Sequence, residues 1–330
     1  MIRFAVLGCG RIGRMHARNL ARHPRAELVS VYDIVHKSAA DAAAELGVTA
    51  AATVEEVLAD SRVQAVLIAT STDTHVPLII AAAKAGKAVL CEKPIDLDLK
   101  RAEACGAEIA PLKATVMIGF NRRFDPSFRA VHDRIHKGEI GTLEQLIITS
   151  RDPAPPPISY IKVSGGIFRD MTIHDFDLAR YFAGDIESVF AYGANLIDPE
   201  IKEAGDIDAA MVVLRARSGV LVHINNSRRC AYGYDQRLEA FGLNGMLQAH
   251  NRYDTSVQSW GKHGTGTRDP VQHFFIERYA AAYAAEIDHF VDSVLTGKPP
   301  IASFADGVAA LHLAEAAGES LRTGRAVSVG

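Results

Sequence analysis

The chain opens on Ile2–Leu7, apolar except for Arg3, which leads into a glycine turn and then into helical sequence through about Arg22. Short runs that stay apolar on both sides read as parallel strands covered on both faces. The pattern then alternates. Leu28–Tyr32 predicts a strand, Ala39–Leu46 and Val54–Ala59 predict helices, and Gln64–Thr70 predicts a strand. Pro77–Ala85 follows as a helix, Ala88–Cys91 as a strand, Lys100–Ala110 as a helix and Thr115–Phe120 as a strand. Strands that alternate with helices imply a doubly wound parallel sheet, with its ligand crevice at the strand C-termini. After a helix at Ser127–Lys137 the pattern shifts to strands separated by polar turns. These are Leu143–Arg151, Ser188–Asn195, Ala209–Arg215, Val220–Ser227, Gln236–Gly242 and Gly245–Gln248. Apolar and polar residues alternate in several of them, as in a sheet with one exposed face. Two alanine-rich amphipathic segments, Tyr279–Leu295 and Asp306–Arg322, close the chain and read as packing helices. The expected organisation is an α/β domain over 1–121 and an α+β domain over 122–330.

Composition changes this picture little. The 330 residues are 48 % apolar and 23 % charged, an ordinary globular balance long enough for two domains. A net charge of −3 without a basic run argues against nucleic acid or an anionic membrane as partner. The first strand leaves no room for a signal peptide, and no apolar run approaches the ~20 residues of a membrane span. Cys9, Cys91, Cys105 and Cys230 lie far apart, with no CxxC and no metal-ligand spacing. Reduced thiols in a cytoplasmic protein, and no bound metal, are the expectation.

The first chemistry lies in the turn Gly8-Cys9-Gly10-Arg11-Ile12-Gly13, which has the GxGxxG spacing with a strand before it and a helix after it. Gly8 permits the tight turn, Gly10 lets the backbone approach a pyrophosphate, and Gly13 allows close helix–strand packing. Asp33 ends the second strand where an acid binds an adenosine ribose hydroxyl. A carboxylate there repels a 2′-phosphate, which favours NAD over NADP, although His36 and Lys37 lie close behind. Thr70, Ser71, Thr72 and His75 follow one strand end, and Glu92 and Lys93 another, so they fall on the cofactor side; polar residues at strand ends also serve simply as turn formers.

The second chemistry lies in Gly165–Phe182, GGIFRDMTIHDFDLARYF. Read as one helix, it places Asp170, His174, Asp177 and Tyr181 within about 60° of one another at 3.6 residues per turn. The rest of the circumference carries Met171, Ile173, Phe176, Leu178, Ala179 and Phe182, the pattern of a buried helix. Carboxylates and an imidazole kept on one line of a buried helix need a cavity or each other, and a histidine oriented by acids is suited to proton transfer. The plainer alternative is a capping Asp170 and a satisfied core His174.

GCGRIGRMHA at the start, CEKP at Cys91–Pro94, GFNRRFDPSF at Gly119–Phe128 and GGIFRDMTIHDFD together resemble the Gfo/Idh/MocA oxidoreductases over essentially the whole chain. SRDP at Ser150–Pro153 and YGYD at Tyr232–Asp235 tilt the resemblance toward the inositol dehydrogenases of that family. The resemblance implies a Rossmann domain followed by a domain with a large open, mostly antiparallel sheet often used in tetramer packing. It also implies that Lys93, Asp170 and His174 are catalytic. The expected reaction is NAD-dependent oxidation of a cyclic polyol such as myo-inositol. Lys93, Arg122, Asp170, His174, Asp177 and Tyr234 would hold the substrate, and Tyr283 is a further candidate. Of Arg122 and Arg123, one is expected to pair with Asp125. A homotetramer or dimer is the expected assembly. Another sugar or inositol-isomer dehydrogenase, or a non-catalytic dinucleotide sensor, remains an alternative.

Overall fold

The computed structural model describes residues 1–329. Its first elements run β1 (Ile2–Leu7), α1 (Arg11–Arg22), β2 (Ala26–Tyr32), α2 (His36–Leu46), β3 (Thr49–Ala50), α3 (Val54–Ala59), β4 (Ala65–Ile68) and α4 (His75–Lys84). They continue through β5 (Ala88–Cys91), α5 (Leu99–Ile109), β6 (Val116–Ile118), α6 (Pro126–His136), β7 (Leu143–Arg151), α7 (Ile158–Ile161), α8 (Ile167–Asp170) and α9 (Ile173–Ala183). Then come β8 (Ile186–Ala194), α10 (Pro199–Glu203), β9 (Ala209–Ala216), β10 (Leu221–Ser227), β11 (Asp235–Gly242) and β12 (Gly245–Ala249). The last are β13 (Gln258–Gly261), β14 (Gly264–Arg268), α11 (Phe275–Arg278), α12 (Ala280–Thr296), α13 (Phe304–Thr323) and β15 (Val327–Ser328).

One compact unit comprises residues 1–121 and 282–309. Its six-stranded sheet has the order β3-β2-β1-β4-β5-β6 with every neighbouring pair parallel. The order reverses beside β1, so the turn after β1 and the loops after β4 and β5 share one edge, the switch point where such sheets take ligands. Phe4 through Leu7 and all of β4 are fully buried, which explains their apolar runs. Thr53 and Glu56 form a reciprocal cap on α3: the Thr53 hydroxyl accepts from the Glu56 N–H at 3.1 Å, and Glu56 accepts from the Ala52 N–H at 2.8 Å. The return of 282–309 to this unit has no counterpart in a linear reading of domains. It is fastened by Phe290 against Phe4, with ring centroids 5.9 Å apart, and by Arg25 paired with Asp288 and Asp292.

The other unit comprises residues 122–281 and 310–330, of which 330 is not described. Its seven-stranded sheet has the order β12-β11-β7-β10-β9-β8-β15, antiparallel at every step except β7–β10. One face buries Leu146, Ile148, Val212, Leu214, Val222 and Ile224, and α9 lies against β7 and β10. The opposite face leaves Tyr192, Met211, Val213, Leu221 and Phe241 exposed. The hairpin β13–β14, exposed almost throughout, pairs only with itself.

The single helix expected over Gly165–Phe182 is two helices. Gly165 and Gly166 both adopt positive φ, and Asp206 accepts the Ile167 N–H at 2.9 Å, so α8 starts abruptly. It then breaks at Met171-Thr172. The Thr172 N–H reaches back five residues to the Ile167 carbonyl at 2.9 Å, and the Thr172 hydroxyl donates to Asn226 at 2.7 Å. An extra residue in one turn rotates everything beyond it by about 100°. Asp170 and His174 therefore belong to different helices, and the continuous stripe to Tyr181 is interrupted.

Candidate active site

The dinucleotide cradle is built from backbone. Gly8 has φ +98°, and a Cβ there would stand 2.4 Å from the Ala69 carbonyl oxygen; a Cβ on Gly13 would stand 1.8 Å from the Gly8 carbonyl oxygen. Those two glycines are required by the fold itself. Gly10 is different: a Cβ there meets nothing within 4 Å, so its missing side chain leaves open space at the N-terminus of α1. Arg11 is exposed and Ile12 half-buried, and no acidic residue occupies the first turn of α1. An unopposed helix N-terminus behind an open glycine suits a pyrophosphate.

Asp33 accepts the Cys9 N–H at 2.6 Å and the Val35 N–H at 2.7 Å. A carboxylate has about four acceptor positions, so capacity for a ribose diol remains. Lys37 turns to Asp41, 2.9 Å away, rather than toward Asp33. These residues fit NAD.

At the next two strand ends the roles divide. Thr70 shares a hydrogen bond with Thr74 at 2.6 Å, and Ser71 and Thr72 keep open surface at the head of a 3₁₀ turn. His75, expected to touch the cofactor, is 1 % exposed. Its Nδ1 lies 2.8 Å from the Pro94 carbonyl and its Nε2 3.2 Å from the Thr70 carbonyl. Burial lowers its pKa, so the ring is neutral with one N–H, which the shorter contact takes. His75 thus ties the two loops together, because the apolar packing around α4 leaves its ring no open side. Glu92 bonds His16 Nε2 at 2.8 Å, and the Lys93-Pro94 peptide is cis, with Lys93 partly exposed beside it.

In the other unit, acids and arginines gather around α8 and α9. Of the nine residues Met171–Ala179 only His174 keeps open surface. Asp170, partly open, accepts from the Tyr160 hydroxyl at 2.9 Å and lies 3.4 Å from the Arg228 guanidinium, whose other arm reaches Asp206 at 3.0 Å. The flanking acids are held differently. Arg122 donates to Asp175 at 2.5 Å and to Ser150 at 3.1 Å, and Asn226 donates to the other Asp175 oxygen at 2.8 Å. Arg123 grips Asp177 with two bonds of 2.8 and 2.6 Å. Asp125 caps α6 and pairs with Arg278.

Arg122 and Asp177, expected as substrate ligands, are both engaged in these pairs. Both are almost fully buried, at 3 % and 1 % exposure, because two charges withdrawn from water must face each other. Tyr234 is also buried, edge-on to Tyr279 with centroids 6.0 Å apart, and burial holds its hydroxyl firmly protonated. It immediately precedes β11 rather than lying within it, set by Gly233 at φ +118°. Tyr283 packs edge-on against His16 at 5.4 Å in the first unit.

One residue was not singled out from sequence. Asp152 stands just beyond β7, and its carboxyl is pushed up to about 7 by burial and by the charge of Asp170, against the opposing pull of Arg228 and Arg122. A carboxyl raised by burial beside a second acid is a functional pattern. The signal was available as the acid of SRDP at a strand C-terminus.

Residues 2–120 match a family model described as "Oxidoreductase family, NAD-binding Rossmann fold", and residues 128–248 match the GFO/IDH/MocA C-terminal domain. Inositol 2-dehydrogenase of Rhizobium meliloti (strain 1021) is 47 % identical over 99 % of both chains. Myo-inositol 2-dehydrogenase of Thermotoga maritima is 46 % identical over 99 % of this chain and 98 % of its own. Among solved structures, a myo-inositol dehydrogenase from Corynebacterium glutamicum superposes with a TM-score of 0.97 at 49 % identity, covering 100 % of this chain and 99 % of that one. Scyllo-inositol dehydrogenase from Lactobacillus casei, solved with bound NAD(H) and scyllo-inositol, superposes with a TM-score of 0.92 at 30 % identity over 100 % and 99 %.

Proposed function

The chain belongs to the Gfo/Idh/MocA family of NAD-binding oxidoreductases, and from that premise we propose that it oxidises a ring hydroxyl of a cyclic polyol to a ketone, myo-inositol to 2-keto-myo-inositol. The observation that carries this reading is His174, the one open residue in an otherwise buried turn of α9, four residues after a partly open Asp170 that ends α8. Bound NAD supplies the hydride acceptor. His174 takes the hydroxyl proton as general base, and Asp170 orients it and stabilises its charged form. The Lys93 ammonium bonds the developing alkoxide, a charge present mainly in the transition state, where stabilisation accelerates the reaction. Tyr234 and Asp152 bind the remaining hydroxyls. Arg122 and Arg123 serve the site from behind, holding α9 through Asp175 and Asp177.

His174→Ala is expected to lower kcat by about 10²–10⁴-fold while NADH binding, followed by its fluorescence, survives. Unchanged turnover would remove His174 from the chemistry. A panel of myo-inositol, scyllo-inositol and aldoses, followed by NADH absorbance, identifies the polyol. A preference for scyllo-inositol would move the assignment within the family, and no turnover of any polyol would favour a sensor.

The exposed apolar face of the seven-stranded sheet suits a homotetramer or homodimer. Light scattering on the eluting protein is expected to give a multiple of the 35.6 kDa chain mass; a monomer refutes it. All four cysteines are buried and unpaired, as in a protein of the reducing cytoplasm. Among the described residues no helix is long and apolar enough to cross a membrane.

A further inference from the structure

Behind the Glu92–Lys93 turn lies a buried acid that the proposed chemistry does not use. Glu286 sits on the inward face of α12 with Tyr283, Ile287 and Phe290, and it is 0 % exposed. Neither of its carboxyl oxygens has a hydrogen-bond partner. A buried polar group left in that state costs about 1–3 kcal/mol, so an alanine or leucine would serve the packing better. The charge of Glu92, just past the end of β5, acts on it. Glu92 in turn bonds the ring of His16 on α1, itself 1 % exposed, and the edge of that ring meets Tyr283. Just past β6, Gly119 lies beside the same carboxylate: a Cβ added there would stand 3.1 Å from Glu92 Oε2. Glu92 is thus placed between the His16 ring and the backbone of Gly119. On the opposite face of α12, Asp288 and Asp292 are taken up by Arg25.

We propose that Glu286 is a positioning residue for the Glu92–Lys93 turn: uncharged it leaves Glu92 on His16, and ionised it repels Glu92 and displaces the lysine next along the chain. Burial, reinforced by Glu92, raises its pKa well above the usual carboxylate range and so favours the uncharged form. The consequence is an alkaline limit on cofactor binding set inside the dinucleotide-binding unit. The inference rests on Glu92 and Lys93 lining the cofactor site. Because it is read through NADH binding, it stands or falls independently of which polyol is oxidised.

The test uses the full chain, wild type and Glu286→Gln, the isostere of the uncharged acid, with the NADH Kd measured by fluorescence from neutral to strongly alkaline pH. Wild type is expected to lose affinity by about tenfold as Glu286 ionises, and Glu286→Gln to keep its neutral-pH affinity across the range. Alkaline limbs that superpose for the two proteins would overturn the proposal. A second measurement needs no variant: the infrared carbonyl band of a protonated carboxyl in glutamate-labelled wild type. That band should be present at neutral pH and fade over the same pH range in which NADH affinity falls. Affinity lost with the band intact would likewise overturn it.

Discussion

Replacing Asp152 by asparagine tests the electrostatics of the acid cluster directly. In the folded chain its carboxyl is raised from 3.8 to about 7, chiefly by burial and then by Asp170. At 1.36 kcal/mol per pKa unit that difference amounts to about 4 kcal/mol. Part of the residue's surface is open to solvent, so roughly 2–3 kcal/mol is the expected share. The sign follows from proton counting. Between the two values the unfolded chain has already released a proton that the folded chain retains, so stability falls as pH rises through this interval and levels off above it. The asparagine amide carries no such proton and escapes the loss. The partners left behind stay paired, Arg122 with Asp175 and Arg228 with Asp206, so the substitution adds only a pH-independent offset. Thermal unfolding at several pH values should show Asp152→Asn gaining on wild type by about 2 kcal/mol between pH 5 and pH 8. For units of this size that is a Tm difference growing by roughly 4–8 °C. A difference between the two proteins that stays constant across pH would refute the assignment of a raised carboxyl to Asp152.

Gly10→Ala should leave Tm unchanged, since its Cβ meets nothing within 4 Å, yet weaken NADH binding by about tenfold or more in a fluorescence titration. Gly13→Ala, by contrast, should lower Tm, because its Cβ collides with the Gly8 carbonyl. Arg123→Met removes the two bonds that Arg123 makes to the buried Asp177 and should cost about 3–5 kcal/mol in urea unfolding; the double variant with Asp177→Asn should recover part of that loss.

The parallel sheet and the glycine turn were legible because their signals are local. An apolar strand, a GxGxxG turn and an acid closing the next strand all fall within the first 33 residues, and the backbone there answers to sterics among near neighbours. The break between α8 and α9 was not legible. It depends on Asp206 and Asn226, which lie 39 and 54 residues from the groups they bind. The same holds for Arg122 and Arg123, whose acids are 53 and 54 residues away, whereas Asp125 lay within easy reach in sequence. β13 and β14 escaped notice because a hairpin exposed on both faces has no apolar period to reveal it. Asp152 was within a recognised motif, but nothing local says that a carboxyl after a strand will be surrounded by two other acids.

The buried ion pairs also explain how the imidazole is aimed. Asp175 and Asp177 are two positions apart, so on α9 they point about 160° from each other, measured through the side that carries His174. Arg122 and Arg123, adjacent in a 3₁₀ turn, diverge by about 120° and meet those two acids one each. A helix gripped at two such points cannot rotate about its own axis without breaking a buried pair. His174 lies within the gripped arc, about 100° from Asp175 and 60° from Asp177. Its direction is thereby fixed by charges that never reach the open surface themselves. Burying two ion pairs is a poor way to gain stability, since apolar side chains of similar size do as well or better. On the role proposed for His174, their placement on either side of it serves orientation, which a proton acceptor requires and an apolar contact specifies less sharply.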